Sequence, residues 1–138
     1  MKIISLLLLV LFLGFSNLPA NVESKGISYV EGISFELKTI ALEHQGPNVV
    51  DLKVHFNYMP GLKDKEYPDF EPLQPFGATF LKDYPNNGDY WEVVVKKLAT
   101  AFLEKTPSIA SVTIELQVYP TKTVAYFHTI HCTATREK

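Results

Sequence analysis

Three side chains near the C-terminus, His128, His131 and Cys132, carry the nitrogen and sulfur donors that zinc favours. Their spacing works against a shared ion. Residues 124–135 are rich in Thr, Tyr and Phe and read as an extended strand. Alternation along a strand sends His128 and Cys132 to one face and His131 to the other. No metal site is therefore expected, and a His55 and His131 pairing is the only core one could have. Cys132 as a nucleophile needs a histidine base within hydrogen-bond reach, and His128 lies too far along the same face, so a half-buried, inert thiol is the reading. There is no Gly-x-Ser-x-Gly elbow and no glycine-rich phosphate loop. Serine hydrolysis and phosphate-loop chemistry are thereby excluded, and no cofactor is implied.

Aromatic residues crowd the stretch between Phe56 and Trp91, namely Tyr58, Tyr67, Phe70, Phe76, Phe80, Tyr84 and Tyr90. Most are expected in the core beneath a loop-rich crossover. Tyr67 and Phe70 are the two that offer a face for stacking on a planar ligand.

The elements that must position these groups follow from hydrophobic periodicity. Ile33, Phe35, Leu37 and Ala41 alternate with Ser34, Glu36 and Lys38, a strand with one wet face. A turn at Gln45-Gly46-Pro47-Asn48 leads to a second alternating run, Val50, Leu52, Val54, Phe56 and Tyr58, so the two form a long hairpin. Between Lys63 and Asn87 the prolines 68, 72, 75 and 85 forbid a central strand, and a short helix over about 74–83 fits Phe76, Phe80 and Leu81. Trp91, Val94, Val95, Leu98, Ala99 and Phe102 then form one helical stripe. Asp89 is expected as its N-cap, with Glu92 completing a capping box. Val112, Ile114, Leu116 and Val118 alternate up to Pro120, and a second hairpin turning at Pro120-Thr121-Lys122 feeds the last strand from Val124. The order β-β-α-α-β-β predicts an α+β fold, a four-stranded antiparallel sheet with both helices on one face.

Met1-Lys2-Ile3 followed by an uncharged apolar run to Phe15, and by Leu18-Pro19-Ala20, has the layout of a secretory signal peptide over residues 1–20. The run is too short to span a bilayer. The expected mature chain of about 118 residues is a single α+β domain, secreted or periplasmic, over residues 21–138. Removal of Lys2 leaves 12 basic against 15 acidic residues, a charge of −3. That mild acidity lacks the clustered basic face nucleic acid requires. With Cys132 alone, no internal disulfide is available.

The segment Tyr90-Trp91-Glu92-Val93-Val94-Val95-Lys96-Lys97-Leu98-Ala99, then Ser108-Ile109-Ala110-Ser111-Val112-Thr113-Ile114, then Val118-Tyr119-Pro120-Thr121, resembles the tunnelling-fold (T-fold) family and, within it, the dihydroneopterin aldolases. The resemblance covers residues 88–138. It implies that Glu92 binds the amino-pyrimidine edge of a heterocycle, since a carboxylate accepts two parallel N–H bonds. It also implies a cyclic homo-oligomer with ligand pockets between subunits, a tyrosine supplied by a neighbouring subunit, for which Tyr67 is nearest, and a lysine just before the turn proline for proton transfer. Here that last place is Tyr119, with Lys122 beyond the turn. A three-residue displacement across a hairpin moves a side chain by several ångströms, and catalytic geometry rarely survives that.

The expected function is therefore an exported, T-fold-like oligomer that binds a planar pterin- or purine-like molecule through Glu92, Tyr67 and Phe70. Lys122 and Tyr119 are the acid or base candidates, and strict aldolase activity is not expected. The alternative is a non-enzymatic secreted structural or protein-interaction module without a ligand pocket.

Overall fold

A computed structural model describes residues 26–137, and the leader expected over residues 1–20 lies outside them. The chain forms β1 (Gly32–Glu43), β2 (Pro47–Tyr58), α1 (Leu73–Asp83), α2 (Trp91–Lys105), β3 (Ile109–Val118) and β4 (His128–Thr135), with one 3-10 turn at Asp64–Glu66. Each strand pairs antiparallel with the next, so the sheet order is β1-β2-β3-β4. Both helices lie on one face of the sheet, α2 over β3 and β4 and α1 over β1. Among the described residues no helix is long and apolar enough to cross a membrane.

Alternation decides which side chains meet the helices. Val50, Leu52, Val54 and Phe56 of β2 are fully buried, opposite Val118, Leu116, Ile114 and Val112 of β3. The α2 stripe answers them with Val94, Val95, Leu98, Ala99 and Phe102, and Trp91 is half-buried at its head. α1 approaches closely because of Gly77. A Cβ there would lie 3.1 Å from both Leu52 Cδ2 and Phe102 Cζ, tighter than ordinary packing allows.

Three expectations are corrected. The strict alternation read through Ala41 breaks at Lys38-Thr39, where the β1–β2 register shifts between Leu37 and Ile40. Thr39 there adopts φ 52°, and the phase flips. Ile40 and Leu42 are consequently buried, while Ala41 faces out. At the head of α2, Tyr90 rather than Asp89 occupies the N-cap position, and no side chain caps it. Asp89 is committed elsewhere: its carboxylate accepts from Tyr84 Oη and from Lys97 Nζ (2.9 Å), and its carbonyl accepts from the His44 and Gln45 side chains. Finally, β4 begins at His128, not Val124. Thr121 N–H donates to the Val124 carbonyl (2.7 Å) and Val124 N–H to Thr121 Oγ1 (3.0 Å), closing those residues into a loop instead of a strand.

Candidate functional site

The β1–β2 turn, the head of α2 and the β3–β4 loop meet at one end of the sheet. They enclose a groove of about 1100 Å³, whose walls include Leu42, Glu43, Trp91, Tyr119, Lys122 and His128. The groove wraps the end of the sheet, from Trp91 on the helix side to Tyr119 on the open side.

The open side is organised by Asp51, only 6% exposed. Its carboxylate accepts from Thr39 N–H (2.8 Å), from Lys38 Nζ (3.2 Å) and from Tyr119 Oη, which sits 3.1 Å from both oxygens. The β1 bulge is what brings the Thr39 amide and the Lys38 ammonium to this carboxylate. Burial alone would raise the Asp51 pKa, but the Thr39 N–H, the Lys38 ammonium and the Tyr119 hydroxyl together outweigh it and hold that pKa below its ordinary value. Tyr119 is pushed the other way, first by burial and then by its bond to Asp51. Its proton therefore stays on the phenol and points at Asp51, leaving the oxygen's lone pairs to accept from a ligand N–H. Phe127 braces the ring edge-on at 4.9 Å.

On the helix side, His44 is 1% exposed. Its Nε2 donates to the Asp89 carbonyl (2.9 Å) and its Nδ1 lies 3.3 Å from the Pro85 carbonyl. Both partners are acceptors, so a neutral ring satisfies one and only the doubly protonated ring satisfies both. The His44 ring also packs edge-on against Trp91 (4.7 Å) and Tyr84 (5.5 Å), which fixes the indole that walls the groove.

Of the residues singled out in the sequence, Tyr119 and Lys122 line this groove together. Glu92 is exposed at the first turn of α2, next to Trp91, with no side-chain hydrogen bond among the described residues and outside the groove's lining. Tyr67 and Phe70, each 39% exposed, sit near the other end of the sheet. There Tyr67 Oη donates to Glu31 (2.6 Å) and its ring meets Tyr58 at 5.3 Å. Most of the length of β2 separates them from Tyr119, roughly 30 Å at ~3.3 Å per residue. His55 and His131 belong to different networks: His55 bonds Ser34 Oγ (2.6 Å) and Asn57 Oδ1 (3.0 Å), and His131 Nδ1 lies 3.7 Å from Glu115. Asp51, Lys38, His44 and His128 were not anticipated as site residues. The unexpected phase flip in β1 hid the first two, and long-range contacts define the others.

No protein-family model matches the sequence, and no curated protein matches it either. Its backbone, however, superposes on the crystal structure of dihydroneopterin aldolase from Burkholderia thailendensis bound to guanine. The TM-score is 0.58 at 13% identity, over 78% of this chain and 93% of that one. The protein has the tunnelling fold. The T-fold frame accounts for the consecutive antiparallel strands with two helices on one face, and the resemblance read from residues 88–138 holds at the level of fold.

Proposed function

We propose that this protein is an exported T-fold oligomer that binds a planar pterin- or purine-like small molecule at subunit interfaces. The groove beside Trp91 forms the wall contributed by one chain. The observation that carries the reading is the position of that groove, at the head of α2, in a fold of which one solved structure is bound to guanine. It is roomy enough to admit a small heterocycle, and it combines an aromatic wall with a few polar groups, the usual make-up of such sites. Glu92, one residue from Trp91, is assigned to the donor edge of the ligand as a carboxylate still free to accept two N–H bonds. Tyr67 and Phe70 lie too far off to touch the same ligand within one chain, so they enter a site only as contributions from another copy. A ring of copies also pairs the β1 and β4 edges, which are otherwise open.

Any reaction in this reading is proton transfer on the bound ring, with Lys122 as the mobile ammonium and Tyr119 as its hydrogen-bonding partner. Aldol cleavage is not part of the proposal, because the tyrosine at the turn keeps its own proton and donates it in a hydrogen bond to Asp51.

One observation favours a second reading, a secreted structural or interaction module: Glu92 turns to solvent instead of into the groove. The two separate in one set of measurements. The mass of the purified protein in solution is determined, and its thermal midpoint is followed with neopterin, guanine and urate. An oligomer stabilised by one of these, with the gain lost in Glu92→Ala, supports the ligand-binding reading. An assembly whose midpoint none of them moves supports the module.

A further inference from the structure

The loop between α1 and α2 carries the pair Asn87-Gly88, and the same loop is the strap to which the groove wall is tied. Asn86 Oδ1 accepts from the Gln45 N–H (2.7 Å), and the Asp89 carbonyl accepts from both His44 Nε2 (2.9 Å) and Gln45 Nε2 (2.6 Å). Through the His44 ring, edge-on to Trp91 at 4.7 Å, the loop fixes the indole of the wall. A chemical change at residues 87–88 therefore reaches the groove without touching it.

The pair is set up for such a change. An asparagine side-chain amide reacts with the backbone nitrogen of the next residue when that nitrogen can reach it, and the main obstacle is the next residue's Cβ, which glycine lacks. Asn87 and Gly88 are exposed, in a stretch that is neither helix nor strand. Gly88 N–H makes no hydrogen bond among the described residues, so no partner competes for it. Asn87 Oδ1 accepts from the Asp89 N–H (3.0 Å). That bond holds the side chain against its own backbone and draws electrons toward Oδ1, which makes Cγ a better target for attack. Asn86 is differently placed: its side chain is held across to Gln45, and the residue after it, Asn87, has a Cβ.

We propose that Asn87 is a site of spontaneous deamidation, a slow chemical clock that loosens the Trp91 wall of the groove. The Gly88 nitrogen gives its proton to a solvent base and attacks Asn87 Cγ. The N–Cγ bond forms, the Cγ–Nδ2 bond breaks, and ammonia leaves. Water then opens the five-membered imide. Addition at Cγ returns an ordinary aspartate, whereas addition at the main-chain carbonyl carbon of residue 87 leaves an isoaspartate, whose backbone runs through the side chain and is one methylene longer. The sum is water consumed and ammonia released, with nothing oxidised or reduced. The ordinary aspartate keeps the backbone path, and its carboxylate still accepts from the Asp89 N–H beside the positive head of α2. The isoaspartate moves the Asp89 carbonyl away from His44 and Gln45, so it alone opens the wall.

The purified protein is incubated in mildly alkaline buffer and digested, and its peptides are weighed over time, alongside Gly88→Ala and Asn87→Asp. Alanine fits at position 88, where an added Cβ meets nothing within 4 Å and the backbone is not left-handed. The peptide should gain about one mass unit, placed on Asn87 by fragmentation and resolved into two products, and Gly88→Ala should react roughly tenfold more slowly. Asn86 should stay intact. Trp91 is the only tryptophan in the sequence, so its fluorescence reports on the wall. It should shift in the isoaspartate fraction and match the parent in Asn87→Asp. No gain at Asn87, or equal rates in the parent and Gly88→Ala, overturns the site. An isoaspartate fraction with the parent's signal overturns the clock, and so does Asn87→Asp with the isoaspartate's signal, because charge rather than chain length then moves the wall. None of these readouts uses a ligand, so the outcome is independent of the small-molecule reading.

Discussion

The layer between sheet and helices is built differently in its two halves. Away from the groove, Phe56 and Phe102 are fully buried and meet Phe35 and Phe76 in tilted and edge-on contacts at 5.2–6.4 Å. Toward the groove, His44, Tyr84 and Trp91 replace the phenylalanines, and the buried carboxylate of Asp51 lies behind the sheet. Apolar area stabilises wherever it is removed from water, whereas each buried polar group contributes only if every partner is in place. One half is therefore built for stability alone, and the other accepts polar groups that a purely structural core would avoid. Two of the three buried polar side chains among the described residues, His44 and Asp51, lie at the end where the groove is, and the third, Thr106, closes the far end of α2.

Mutations should divide along that line. The largest effect is expected for Phe102→Ala, which empties the centre of the phenylalanine cluster. It should cost about 3–5 kcal/mol in urea unfolding while leaving ligand response in the remaining folded protein unchanged. His44→Leu should cost about 1–2 kcal/mol, because it removes the ring's bond to the Asp89 carbonyl and its packing on Trp91 and Tyr84, although Gln45 Nε2 and Asn87 N–H still serve the Asp89 and Pro85 carbonyls, and it should also shift Trp91 fluorescence. A phenylalanine-half mutant that disturbed ligand response, or a His44 mutant that left the indole signal untouched, would erase the distinction between the halves.

Asp51→Asn is expected to cost no more than this, about 1–2 kcal/mol near neutral pH, since an amide still accepts from Thr39 and Tyr119 but loses the attraction of Lys38. Its pH dependence is more diagnostic. The folded carboxyl lies below its unfolded value of about 3.9, so its stabilisation is complete above that pH and fades as pH falls through the folded value. Acid unfolding curves should therefore be shallower below about pH 4 in Asp51→Asn than in the parent. The smallest effect belongs to Lys122→Ala. This exposed side chain has no ion pair among the described residues, so stability should stay within about 0.5 kcal/mol and only ligand affinity should move.

Much of the stable half was readable in advance. The β2 alternation from Val50 to Phe56 and the α2 stripe from Val94 to Phe102 are periodic, and periodic burial is what residue order encodes most directly. The polar half was less so. Asp51 falls on the wet face of β2 by its position in the alternation, and it is covered where the Lys38-Thr39 bulge of β1 and Tyr119, 68 residues away, close on its carboxylate. Asp89 looked like a helix cap in sequence, but Tyr84, Lys97 and His44 compete for its carboxylate and carbonyl and win. Tyr119 and Lys122 were named from the sequence and share the groove, whereas His128 was set aside with its neighbours as a failed metal site.

The irregularity at Thr39 has a bearing on how the molecule meets other chains. A straight edge of twelve residues would invite any stray extended peptide to zip along its full length. Here the ladder is cut into a run from Gly32 to Leu37 and a shorter one from Ile40 to Glu43, offset in phase. A visiting strand that fits one run is out of step with the other. Only a surface shaped to follow the step can dock along the whole margin, so the same kink that delivers Lys38 to Asp51 also screens the company this edge keeps.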